Sequence, residues 1–116
     1  MFKSKTAQGN YYKRKTKEWF EKRGYVCQIT EFTYSIPIGR KTIWRKVDVF
    51  GSDMICMDGK EIIFINSKAT DEFVENGIEK SKSVGKIEFA KYPFPPSTKK
   101  QVVIWMPREE PEIFEV

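Results

Sequence analysis

The chain has 116 residues, no histidine, and 21 Lys plus Arg against 16 Asp plus Glu, for a formal charge of +5. That length holds one domain, residues 1–116, with a sizeable core, and the basic excess favours a polyanionic partner, nucleic acid first and an acidic membrane surface second. Two cysteines without CxxC spacing and no histidine exclude a zinc site, and no apolar run approaches the roughly 18 residues of a membrane span.

The start of the chain lacks a signal-peptide core, and Cys27 and Cys56 lie in apolar strand-like runs. The expectation is an intracellular, cytoplasmic protein with two buried reduced thiols. Residues 1–8 are polar and basic without a period and read as a mobile arm. From residue 10 to 23, Tyr12, Thr16, Trp19 and Phe20 recur at helical spacing, and Gly24 suits the position just past a helix end. The opposite face carries Lys13, Arg14, Lys15, Lys17 and Lys22 with Glu18 and Glu21. Arg14 and Lys17 are candidates for phosphate contact, weighed evenly against an ordinary solvated face.

Residues 25–36 are rich in β-branched and aromatic side chains and predict a strand, followed by a basic loop at 37–41 and a second strand at 43–50. Arg40, Lys41, Arg45 and Lys46 are the second group of candidate nucleic-acid contacts. Trp44 and Trp105 fit core or edge packing better than base stacking, although an exposed Trp44 among these cations would suit a stacked or kinked nucleic acid. Gly51 marks a bulge or bend before Asp53.

The runs 53–57 and 61–65 are joined at Asp58-Gly59, the strongest short hairpin signal, which suits a two-residue turn placing Asp53 opposite Phe64. A four-residue loop keeps the same parity, and a three-residue loop reverses it. With that parity kept, Asp53, Asn66 and Lys68 project from one face, so a carboxylate, an amide and an ammonium meet at one end of a hairpin that is apolar on both sides and central in its sheet. Thr70, Asp71 and Glu72 make a helix start. That helix runs to about residue 91 with a break expected near Gly85. Prolines 93, 95 and 96 mark a loop, residues 101–106 a strand, and 113–116 a short edge strand. The order of helix, strands, helix and strand argues an α/β sheet with a helix on each face.

Gly9 leading a short helix to Gly24-Tyr25, Phe50-Gly51-Ser52-Asp53 opening a strand, and Ile65-Asn66-Ser67-Lys68-Ala69-Thr70 closing the next resemble the PD-(D/E)XK nuclease superfamily. The resemblance is to its small archaeal and phage Holliday-junction resolvases. It implies a central mixed β-sheet flanked by helices, a prokaryotic or viral origin, and a metal-dependent endonuclease acting on branched or structured DNA as a homodimer. Asp53 would ligate Mg²⁺ or Mn²⁺, with the Asn66 amide oxygen and the Ser67 carbonyl as neutral ligands, and Lys68 would orient the attacking water. The family places carboxylates where Asn66 and Lys13 stand here, and Asp48, Glu18 and Glu72 are candidate substitutes. The alternatives are a catalytically weakened relative that binds DNA, and an RNA-binding or protein-interaction α/β module.

Overall fold

In a computed structural model describing residues 5–70, 75–107 and 110–116, the helical period of the N-terminal segment produces α1, Lys5–Glu21. Its buried stripe is Tyr12, Thr16 and Phe20, with Trp19 packed beside them, as the spacing requires. The helix begins earlier than expected: residues 5–8, assigned to a mobile arm, belong to it, and residues 1–4 lie outside the described part. Gly24 takes φ +91°, and the Tyr25 N–H reaches back to the Phe20 carbonyl at 3.1 Å, a bond pattern that closes a helix through a left-handed residue.

The segment 25–36 is two strands, β1 (Val26–Ile29) and β2 (Phe32–Ile38). The division falls at Thr30 and Glu31, whose N–H groups both turn to the Asp53 carbonyl, at 2.8 and 3.3 Å. Beyond that point β2 leaves the sheet and pairs only with β3 (Lys41–Val47), as a separate two-stranded ribbon. Pro37, expected in a loop, sits inside β2 opposite Thr42. A two-stranded ribbon consists of edge strands, where proline is tolerated.

The remaining strands are β4 (Met54–Met57), β5 (Ile62–Ala69), β6 (Lys99–Trp105) and β7 (Glu112–Glu115), with α2 (Glu75–Ala90) between β5 and β6. The five-stranded sheet runs β1-β4-β5-β6-β7, with β5 and β6 parallel and the other pairs antiparallel. β5 is its central strand, as the doubly apolar hairpin required.

The β4–β5 register pairs Met57 with Ile62 and Met54 with Ile65, so the loop has four residues, 58–61. Asp58 Oδ1 accepts the N–H groups of Lys60 and Glu61 at 2.9 and 3.0 Å, and of the two turn residues only Gly59 takes positive φ. This replaces the two-residue turn with an Asx-type turn. Parity along β4 survives, because two extra residues move the register by a full period; the ladder ends at the Met54–Ile65 pair, and the Asp53 N–H turns to the Ile65 carbonyl.

α1 covers one face, burying Cys27, Met54, Cys56, Ile63, Ile65, Val103 and Trp105 with its own Tyr12 and Phe20. α2 covers the other, where Phe89 meets Val102 and Ile104 beside Phe64 and Ile78. The break expected at Gly85 is absent. A Cβ there would lie 2.7 Å from Val102 Cγ2, so the glycine serves close helix–sheet approach. Asp71 and Glu72, expected in the first turn of this helix, lie outside the described residues. Cys27 and Cys56 are register partners on β1 and β4 and form a disulfide, which corrects the expectation of two reduced thiols. Strand pairing across 29 residues brings them together, and spacing alone does not reveal it.

Candidate active site

Several elements converge at the carboxyl end of β5, where open α/β sheets bind their ligands. They enclose a cavity of about 330 Å³: Gly9 and Lys13 from α1, Glu31 and Lys46 at the base of the ribbon, Asp48 and Asp53 from the β3–β4 connection, Ser67 and Lys68 from β5, Glu88 from α2, and Lys91 just beyond it. The lining therefore carries four carboxyl and four ammonium groups.

Asp53 is held between two strands. Its N–H donates to the Ile65 carbonyl at 2.8 Å, and its Oδ2 accepts the Ser67 N–H at 2.7 Å. Ser67 is tied in turn to α1. Thr16 Oγ1 gives its hydrogen to the Tyr12 carbonyl at 2.7 Å and accepts from Trp105 Nε1 at 2.8 Å, so the 3.0 Å contact with Ser67 Oγ is donated by the serine. This buried relay fixes the helix against the strand that orients Asp53, and it explains a threonine in an otherwise apolar stripe.

Asp53 is almost fully buried, and burial, followed by the Glu31 carboxylate in hydrogen-bond contact, pushes its carboxyl up to about 8 against the opposing Ser67 N–H and Lys68. Burial also works against a charge on Glu31, but the hydrogen bond from Asp53 and then Lys13 outweigh it and hold Glu31 down to about 2. The opposite directions are those of two carboxyls in contact that compete for one proton, with Asp53 the favoured holder. Glu31 Oε1 also receives Lys13 Nζ at 2.6 Å and Lys46 Nζ at 3.2 Å.

Asn66 shares its face with Lys68 through strand parity, and both grip Glu88. Lys68 Nζ lies 2.8 Å from Glu88 Oε1, while Asn66 Nδ2 donates to Glu88 Oε2 and, at 2.8 Å, to the Gly51 carbonyl. Asn66 is fully buried, and among the described residues its Oδ1 has no partner. The turn carrying Gly51 presses on α2: a Cβ at Gly51, where φ is +78°, would lie 2.8 Å from the Glu88 carbonyl. That approach sets Glu88 over the strand end.

Asp53, Ser67 and Lys68 therefore line one cavity, with Asn66 directly behind Glu88. Of the candidate substitutes, Asp48 lines the cavity but spends Oδ1 on the Gly51 N–H at 3.1 Å, Glu18 is exposed on α1 and does not line it, and Glu72 lies outside the described residues. Among the cations, Lys46 lines the cavity. Arg14 and Lys17 do not line it but continue along α1 the stripe of Asn10 and Lys13 by helical spacing. Arg40, Lys41 and Arg45 lie out on the ribbon, all exposed.

Two cavity carboxylates went unread in the sequence. Glu31 carried a faint signal, as a charged residue interrupting a strand-like run. Glu88 carried none, since its partners are Asn66, 22 residues earlier, and Lys68, 20 earlier.

The fold is a mixed five-stranded sheet with a helix on each face. It is similar to the solved structure of Hjc, a Holliday junction resolvase from the archaeal hyperthermophile Archaeoglobus fulgidus, with a TM-score of 0.53 and 14% identity over 92% of this chain and 76% of that one. No family model and no curated protein matches the chain.

The donor chemistry suits a hard divalent ion. Asp53 and Glu31 are two carboxylates in contact, which require a shared proton or a cation between them. Asp53 and Glu31 are the residues that would hold the ion, with Lys13 yielding its place on Glu31. Among the described residues no three carboxylate, imidazole or thiol groups cluster as a ready-made metal site.

Proposed function

We propose that this chain is an endonuclease of the resolvase type, hydrolysing phosphodiesters in branched or structured DNA with Mg²⁺ or Mn²⁺, and working as a homodimer because a branch requires two cuts. The observation that carries this reading is the convergence of Asp53 and Lys68 with Glu31 and Glu88 on one cavity at the carboxyl end of β5, in a fold like that of Hjc. A divalent ion in such a site supplies Lewis acidity and a more acidic water. The chain's own residues do the rest. Lys68, anchored by Glu88, presents an ammonium to the phosphate and the developing charge. Asp53, fixed by the Ser67 N–H, would offer its carboxylate to such an ion, and Lys13 and Lys46 draw the phosphate backbone toward the carboxylates.

The test is cleavage of a four-way junction against linear duplex with Mg²⁺ or Mn²⁺ at matched salt, together with thermal unfolding in the same ions. Asp53→Ala should abolish cutting while binding persists, and Lys68→Ala should lower the rate with little change in affinity. Metal should raise the unfolding temperature of the wild type at pH 8 and not that of Asp53→Ala.

One observation favours a second reading, a DNA-binding relative that has lost catalysis: Glu31 is already clamped by Lys13 and Lys46. Wild type that binds junctions, cuts nothing and gains no stability from metal would establish that reading instead.

A further inference from the structure

A second cavity, about 730 Å³, opens between α1 and the ribbon, and it is lined by Gly9, Asn10, Lys13, Glu31, Phe32, Thr33, Trp44 and Lys46. Four of these, Gly9, Lys13, Glu31 and Lys46, also line the candidate active site, so the two spaces adjoin. Strand parity sorts the ribbon. Thr33, Ser35, Trp44 and Lys46 share one face, and Tyr34, Ile36, Ile43 and Arg45 share the other. Trp44 is 69% exposed, and it stands two residues from Lys46 on the same face. Lys46 touches Glu31 yet keeps 66% of its side chain in solvent. The arrangement is a broad apolar ring on one wall, with cations that also border the adjoining candidate site.

We infer that this cleft receives one unpaired nucleobase of the DNA, stacked on Trp44, with its phosphate on Lys46 and Lys13 at the entrance of the active site. The inference rests on the DNA reading above and adds the substrate feature recognised, an unstacked nucleotide beside the target phosphate. Charge complementarity selects this occupant: the cleft joins a π-face to ammonium groups one nucleotide's reach away, which is the pairing single-stranded nucleic acid requires. A paired base does not qualify, because its faces are covered by its neighbours in the stack.

The experiment titrates the full-length chain, at one fixed salt, against a duplex and against the same duplex carrying one unpaired adenine, with 2-aminopurine in that position for fluorescence. Wild type should prefer the unpaired base by roughly 5- to 150-fold, the worth of one base–aromatic stack, and should quench 2-aminopurine. Trp44→Ala should erase the preference and the quenching while leaving duplex affinity within about twofold. Trp44→Phe should retain most of both, and it serves as the readout if the alanine variant unfolds. Wild type that binds both duplexes equally, or leaves 2-aminopurine unquenched while bound, overturns the inference and leaves the DNA reading standing. Trp44→Ala that is folded and keeps the preference overturns it as well. Failure of wild type to bind any DNA removes the DNA reading together with the inference.

Discussion

β6 and the β2–β3 ribbon are written in the same residue types, yet Gln101–Trp105 of β6 are buried while Phe32, Tyr34, Ile38, Ile43 and Trp44 of the ribbon are exposed. β6 has a strand on each side and a helix over each face, so its apolar groups have somewhere to go. Among the described residues each ribbon strand has one partner strand and neither core cluster includes it, a construction only marginally stable by itself. The sheet therefore holds the stability of the molecule, and the ribbon's apolar and basic surface is available for a ligand.

The largest expected effect lies at the buried end of the sheet. Asn66→Glu sets a second carboxylate against Glu88 in full burial and should cost about 3 to 5 kcal/mol at neutral pH, measured by urea unfolding in chelator. Partial recovery with Mn²⁺ would show that these oxygens accept a cation, and an unchanged stability would contradict the burial of the site.

Gly85→Ala comes next. Helix propensity alone predicts a gain of up to about 1 kcal/mol, but the added Cβ would overlap Val102 and should give a net loss of about 1 to 2 kcal/mol. A stabilised variant would mean that α2 and β6 separate readily.

The proton shared by Asp53 and Glu31 gives the cavity a pH signature. Asp53 is raised from 3.8 to about 8, so its contribution is fully present below about pH 4 and is lost as pH rises through about 8. Glu31 is lowered from 4.5 to about 2, so its contribution is present above about pH 4.5 and is lost as pH falls toward 2. Stability in chelator should be highest near pH 4 to 5 and decline toward pH 8, at no more than about 1.4 kcal/mol per unit. Asp53→Asn should flatten the alkaline decline, and a parallel decline in that variant would assign the effect elsewhere.

The ribbon should respond least in stability and most in binding. Ile38→Ser should change unfolding by no more than about 0.5 kcal/mol. Lys41→Ala and Arg45→Ala should leave stability alone while each lowers the slope of log DNA affinity against log salt by about 1. Stability losses as large as those in the sheet would show that the ribbon is part of the folding unit.

What the sequence determined by itself was local and periodic. The Tyr12, Thr16, Trp19 and Phe20 stripe set the buried face of α1, and the two apolar runs around Asp58-Gly59 set the central hairpin. The period of two put Asn66 and Lys68 on one side of β5, where both reach Glu88. The tertiary structure decided what depends on distant partners. Thr30 and Glu31 leave the β1 ladder because the Asp53 carbonyl, more than 20 residues on, takes both N–H groups, and that departure frees the ribbon and exposes Trp44. Glu88 becomes a wall of the site, Cys27 finds Cys56, and Gly85 continues a helix it was expected to break, each through an atom on another element. Propensity and spacing act over a turn or a strand pair, whereas these outcomes were fixed by how the layers close on one another.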